Sequence, residues 1–330
     1  MERVIIRGVG SYLPDCVLSN TDLESMVDTT HEWIVTRTGI ESRRICLDTE
    51  MASDLGYEAA RKALENAHIA TCDIDLIIVA TMTPDMQFPA TACIIQKKLG
   101  CSDIPCFDIG AACSGFIYAM DVGRNFLLSN PAMKNVLLIG TEKISSILDW
   151  EDRSTCILFG DGAGAVVLSR NWDNSDAGIW DILIGADGRC ASMLHCSGWG
   201  ASVPVTVENV EQRKYFIRME GREVFKEAIK RMCVVVEDIL LRNHLTVEDI
   251  ACVIPHQANI RIITAIGERL GIPQEKMFVN LQHKGNTSAA SIPIAIDEAL
   301  KMGRIHTGDL ILLVAFGAGM TWGASLIRWK

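Results

Sequence analysis

No apolar run in this sequence approaches the roughly 18 residues that a membrane-spanning helix requires, and the first residues, MERVIIRGVG, enter a strand pattern at once. Neither a membrane span nor a signal peptide is expected, and the cytoplasm follows as the compartment. Positive charge is scarce too: 31 Lys and Arg stand against 41 Asp and Glu, a net charge of −10. Such a chain has no general attraction for a phosphate backbone, which argues against a nucleic-acid binder and leaves any anionic partner to a local basic patch. Cys-x-x-Cys pairs are missing, although twelve cysteines are present. In a reducing compartment these are thiols, and the single Cys/His cluster, Cys190 to Cys196 around His195, lacks zinc-site spacing, so no metal is expected. What remains is ordinary for a compact soluble chain: 330 residues, 49% hydrophobic and 22% charged, enough for a large core or two core units.

The chain is organised around Phe107-Asp-Ile-Gly-Ala-Ala-Cys-Ser-Gly-Phe116, which reads as a short apolar strand, a turn of small residues and a helix from Ser114 to about Leu128. A cysteine at a helix N-terminus meets the positive end of the peptide dipoles, so Cys113 is expected as a thiolate nucleophile. The same residue is equally a small buried hydrophobe, so the rest of the chain has to decide. Residues 3–9 read as a strand, Asn20 or Thr21 as a helix cap, and 52–67 as a helix with its apolar stripe at Leu55, Ala59, Ala60, Ala63 and Leu64. Ile74–Ala80 is a continuous apolar run that suits a strand covered on both faces. Residues 171–213 carry turn residues and read as surface loops, and 214–243 hold a long helical period. Gly160-Asp-Gly-Ala-Gly-Ala165 runs into the strand-like Val166-Val-Leu168, whereas a dinucleotide site needs a helix there.

An internal repeat is visible. From Asp75 the order is strand, helix, strand (CFDIG), Cys113, a small-residue helix and a strand at Val136; from Asp249 it is strand, helix (260–270), strand (MFVNL), Asn286, a small-residue helix (288–301) and a strand at Leu310. Cys113 precedes Val136 by 23 residues (136 − 113) and Asn286 precedes Leu310 by 24 (310 − 286), so the two are expected at corresponding turns, with a site between the halves. His256 follows a strand directly. By itself it is more often a capping or core histidine, and Asn286 by itself is more often turn chemistry. With Cys113 they make a nucleophile, a titratable donor and a fixed polar donor, and the turn Ala315–Trp322 offers backbone N–H groups to an oxyanion.

GSYLP, DIGAACSGF, PHQAN, HKGNTSAAS and AFGAGMTWG, in that order along the chain, resemble the motifs of β-ketoacyl-acyl-carrier-protein synthase III, the initiating condensing enzyme of dissociated fatty-acid synthesis. The resemblance implies a thiolase-like α/β fold of five layers, αβαβα, in two similar halves: 1–170 with the cysteine, 171–330 with the histidine and asparagine, usually as a homodimer. It implies that Cys113 accepts an acyl group from acyl-CoA, that His256 and Asn286 handle the malonyl group of malonyl-acyl-carrier protein, and that backbone N–H groups at Cys113 and Ala318 hold the oxyanion. Trp33 and Arg153 match residues that sandwich the adenine of coenzyme A, with Thr29 and Arg37 by its phosphates and Gly221, Phe225, Ala258 and Asn259 along its arm. Phe88 and Phe159 match the acyl pocket, Phe88 by reaching across the dimer. Gln257, Arg261, Arg222 and Lys226 match the carrier-docking face, and no cofactor is implied beyond the thioester substrate.

This chain departs from the family in having Ala318 where a glycine is usual, whose methyl is expected to crowd the oxyanion. Arg222, Lys226 and Lys230, four apart on one helix face, form a like-charged stripe that an acidic carrier would answer; the plainer reading is a solvated face flanked by Glu223 and Glu227. A thiolase would carry a second cysteine in residues 315–323, and an elongating synthase a histidine at position 286. A related acyltransferase or ketone synthase of secondary metabolism remains the alternative enzyme, and an inactive scaffold or carrier-binding module the alternative outside catalysis.

Overall fold

The computed structural model describes residues 3–173, 175–198 and 200–330. Nine strands build two sheets: β1 (Arg3–Tyr12), β2 (Leu76–Ala80), β3 (Cys106–Ile109), β4 (Asn135–Glu142) and β5 (Gly162–Asn171) in one, β6 (Gly178–Ala186), β7 (Cys252–Pro255), β8 (Leu310–Gly317) and β9 (Thr321–Arg328) in the other. The first sheet runs β1-β5-β4-β2-β3, with β4, β2 and β3 parallel; the second runs β7-β8-β9-β6, with β7 and β8 parallel. The helices that matter here are α1 (His31–Thr38), α2 (Ala52–Ala67), α3 (Thr91–Leu99), α4 (Gly115–Ser129), α5 (Gly221–Arg242), α6 (Ile260–Leu270) and α7 (Ser291–Lys301).

Burial follows from the pattern of side chains. β2 is apolar at every position and buried at every position, because α4 packs on one face of its sheet and α2 on the other. The small side chains of α4 and α7 let both helices lie between the two sheets, where Phe116, Met120, Ile292 and Ile296 join Ile78, Leu138, Ile254 and Leu313 in one core. On the outer faces, α2 covers the first sheet through its predicted stripe and α5 and α6 cover the second. The close approach of α2 needs glycine beneath it: a Cβ on Gly10 would stand 2.4 Å from the Ala63 backbone nitrogen. The result is the five-layered αβαβα body that the resemblance implied. Among the described residues no helix is long and apolar enough to cross a membrane.

Several expectations fail for physical reasons. The helix at Asn20–Glu24 is capped by Ser19, while Asn20 is fully buried and spends its side chain on Arg43 and the Ile40 carbonyl. Residues 171–213 are not all loop: β6 runs through Gly178–Ala186, disguised by turn residues at both ends and by Asp181 within it. Positions 174 and 199 of that stretch, like Met1 and Glu2, lie outside the described residues. MFVNL is reduced to a single bridge between Val253 and Met277, because a 3-10 turn at Leu281–His283 follows at once. The helix foreseen over 214–243 begins only at Gly221, residues Arg218–Met219 being a short strand paired with Leu194–His195.

Candidate active site

Cys113 occupies a 3-10 turn, Ala112–Ser114, immediately ahead of α4, and Ala112 enters that turn at φ 48°, a left-handed value unusual for a residue with a Cβ. His256 follows β7, its backbone N–H donating to Val314 of β8 at 2.8 Å. Asn286 precedes α7 and is pinned through its N–H to the Leu158 carbonyl, 2.8 Å, while its own carbonyl accepts from Gly160, 3.1 Å. The three are buried, at 6%, 4% and 6% exposure, and line one cavity of about 110 Å³. Phe159, Gly221, Phe225, Ala258 and Asn259 share its wall.

Both polar side chains face this cavity as donors. Asn286 Oδ1 accepts from the Ser288 N–H at 2.8 Å, which leaves the amide NH2 for the cavity. His256 Nδ1 lies 2.7 Å from Ser291 Oγ, which also accepts from the Gln257 N–H at 3.5 Å. The Ser291 hydroxyl proton has no other acceptor among the described residues, so it goes to Nδ1 and the ring carries its proton on Nε2. Burial lowers the imidazole to about 3, so it is neutral across the working range. The expected thiolate is corrected: burial pushes Cys113 up to about 12, with Glu142 adding to the rise, and the opposing contacts from Ser288 and its own backbone N–H are smaller. Loss of water outweighs the donors around the sulfur and favours the thiol.

The remaining predicted residues divide. Trp33, on α1, has the guanidinium groups of Arg37 and Arg153 each 4.8 Å from its ring centroid, and Arg153 also donates to the Asp28 carbonyl at 2.5 Å. The Arg153 guanidinium therefore already covers one face of the Trp33 ring. The Thr29 hydroxyl nearby is buried without a partner among the described residues. Gln257 is a correction: it is 1% exposed and braces Pro255, Phe278 and Asn280, so it presents nothing to a docking protein. Arg261 lies over Phe225 at 5.6 Å and Arg222 is exposed at the start of α5. Lys226 and Lys230 are already paired with Glu223 and Glu227, at 2.9 and 3.7 Å, so the plainer reading of that face is partly met. Phe88 is 84% exposed and outside the wall of this chain's cavity. Gly317 abuts Cys113, where a Cβ would come within 2.7 Å of its backbone nitrogen, whereas Ala318 is not among the residues lining the wall. Sequence reasoning missed Ser288 and Ser291, which lay inside a quoted motif as small residues, and Glu142, which nothing marked. Among the described residues no group of three or more His, Cys, Asp or Glu side chains is placed to hold a metal ion.

Two family models match the chain, "3-Oxoacyl-[acyl-carrier-protein (ACP)] synthase III" over residues 107–188 and its C-terminal counterpart over 240–329. The β-ketoacyl-[acyl-carrier-protein] synthase III of Caldanaerobacter subterraneus subsp. tengcongensis is 51% identical over 325 residues, 98% of this chain and 97% of its own. The chain belongs to the β-ketoacyl-[acyl-carrier-protein] synthase III family. The Aquifex aeolicus synthase III is 50% identical, over 98% of this chain and 99% of its own. A crystal structure of the synthase III from that organism superposes with a TM-score of 0.91 and covers 100% of both chains. As a synthase III, this protein is an acyl-transferring condensing enzyme of the kind that initiates fatty-acid synthesis, and the secondary-metabolism alternative is not favoured.

Proposed function

We propose that the protein joins a short acyl-CoA primer, acetyl-CoA foremost, to malonyl-acyl-carrier protein, giving 3-oxoacyl-acyl-carrier protein, carbon dioxide and coenzyme A. Cys113 attacks the primer thioester, and the N–H groups of Cys113 and the Gly317–Ala318 turn steady the oxyanion. Malonyl thioester then enters; His256 Nε2–H and the Asn286 amide donate to its carbonyl oxygen as carbon dioxide leaves, and the carbanion attacks acyl-Cys113. The observation that carries this reading is that one cavity is lined by the thiol and by two side chains whose hydrogen-bond partners leave both as neutral donors. The chemistry asks for no metal or redox cofactor.

In this reading coenzyme A lies along Thr29, Trp33, Arg37 and Arg153 and reaches Cys113 past Gly221, Phe225, Ala258 and Asn259, while Arg222, Lys226 and Arg261 meet the acidic carrier. The exposure of Phe88 supports a homodimer in which it floors the partner's acyl pocket. The halves divide near residue 170, in keeping with strands of the first sheet ending at Asn171 and those of the second starting at Gly178. Twelve free thiols fit a reducing cytoplasm. Intact-mass analysis after incubation with acetyl-CoA tests the reading: one acetyl group is expected on the protein and none on Cys113→Ala. A protein that gains no acetyl group, or gains it without Cys113, overturns it.

A further inference from the structure

Glu142 ends β4 with its side chain fully buried, and nothing in the reaction above uses it. One oxygen, Oε2, is held by the Thr83 hydroxyl at 2.7 Å, the Met82 N–H at 3.0 Å and the Thr81 hydroxyl at 3.3 Å. The other, Oε1, has no hydrogen-bond partner among the described residues, and neither has the hydroxyl of Ser288, a residue that is also fully buried. These two orphans are neighbours. The end of β4 packs on the 288–290 turn, where a Cβ on Gly140 would stand 2.5 Å from the Ala289 carbonyl, and that turn in turn packs on Ala112–Ser114. Ser288 Oγ lies near enough to both the Cys113 thiol and the Glu142 carboxyl to act on their protonation, although neither contact closes to full hydrogen-bond geometry at rest. Catalytic hydrogen bonds are commonly loose before substrate binds.

We propose that Glu142, acting through the Ser288 hydroxyl, takes up the proton of the Cys113 thiol as the acyl thioester is attacked. The inference rests on Cys113 as acyl acceptor. The step balances without a co-reactant. As the Cys113 sulfur bonds to the acyl carbon, its proton passes to Ser288 Oγ and the Ser288 proton to Glu142 Oε1. As the bond from that carbon to the coenzyme A sulfur breaks, the path runs backward and the departing sulfur receives the proton, so acyl-CoA and thiol become acyl-cysteine and coenzyme A thiol. Burial raises Glu142 to about 7, which makes it a far better acceptor than His256 at about 3. Other charged groups on the surrounding segments are engaged elsewhere: Lys143 Nζ with the carbonyls of Leu47 and Glu50, Asp85 with Ser53, Asp54 with Lys98, and Asp161 with Cys46 and Ser145.

Glu142→Gln is the direct test, because the amide oxygen keeps the three donors and the NH2 group finds Ser288, so only proton uptake is lost. Single-turnover acylation by acetyl-CoA, followed by intact mass across pH, is expected to fall on the order of 10²-fold and to lose an inflection near the Glu142 value of about 7. Ser288→Ala, which removes the relay but keeps the carboxyl, is expected to slow acylation similarly, and in both variants decarboxylation of malonyl carrier protein falls far less than acylation. Acylation at the unaltered rate and pH profile in either variant overturns the relay. So does an equal loss of acylation and decarboxylation, which marks a collapsed site. If the unaltered protein carries no acyl group on Cys113, the relay falls together with the reading of Cys113 beneath it.

Discussion

Residues 112–129 and 288–301 repeat one another at an offset of 176 (288 − 112 and 291 − 115): each opens with a three-residue 3-10 turn whose first residue is left-handed, φ 48° at Ala112 and 49° at Ser288, and each continues into a helix of the central layer. The backbone is the same, but the use differs. In the first half the turn carries Cys113, the proposed nucleophile; at the equivalent place in the second stands Ala289, and the polar groups sit around it at Asn286, Ser288 and Ser291. The strand ends cross over, with β4 reaching the turn of the second half and β8 that of the first. There the difference is sharpest, for β8 presents Gly317 to Cys113 and β4 presents Glu142 to Ser288. Duplicated backbone thus yields one cavity to which one half brings a thiol and the other two polar donors, the division on which the proposed reaction depends.

The largest expected effect comes from removing the attacking side of this comparison. Cys113→Ala should lose the acyl adduct and lower condensation by more than about 10³-fold, measured as 3-oxoacyl product, while malonyl decarboxylation persists. Removing the donating side is expected to cost somewhat less. His256→Ala or Asn286→Ala each deletes one oxyanion donor and should lower condensation by about 10²–10³-fold while acetyl transfer to Cys113 continues. Equal loss of both half-reactions would erase the division of labour between the halves.

The division was only partly legible in the sequence. The period of α2, the apolar run of β2 and the small-residue helices α4 and α7 were readable because burial on known faces dictates them. The repeat was readable too, but its register was not: spacing paired Cys113 with Asn286, whereas the helices align Cys113 with Ala289. The helices that follow the two turns differ in length, 15 residues in α4 and 11 in α7, and no spacing rule corrects for that. β6 hid behind turn residues, and the buried roles of Gln257, Ser291 and Glu142 depend on partners distant in the chain. Composition and spacing carry no record of which polar side chain folding deprives of water, which is why the burial of Cys113 was not legible.

Glycine substitutions test the crossover on a smaller scale. Gly317→Ala drives a methyl toward the Cys113 nitrogen at 2.7 Å, and Gly140→Ala drives one toward the Ala289 carbonyl at 2.5 Å. Both should destabilise by about 1–3 kcal/mol in thermal unfolding, through overpacking against backbone. Gly317→Ala should in addition slow acylation more than Gly140→Ala, because it displaces the nucleophile itself. Identical acylation defects would mean that the two crossings are not distinct. Gly110→Ala, with nothing within 4 Å of its Cβ, is the control and should change neither.

The smallest effect is expected at the rim, on α5. Lys226 is exposed and already paired with Glu223 at 2.9 Å, so its charge is partly answered before any carrier arrives. Exposed ion pairs of this kind contribute about 0–1 kcal/mol. Lys226→Glu places three acidic side chains, with Glu223 and Glu227, on the face proposed to meet an acidic carrier. The apparent KM for malonyl carrier protein should rise by about 2–5-fold, by less in high salt, and the acetyl-CoA half-reaction should not move. Because Lys226 lies outside the cavity wall, a parallel loss in acetyl transfer would mean that α5 shapes the acyl site rather than the docking face. A KM that ignores both the substitution and the salt would remove this helix from carrier recognition.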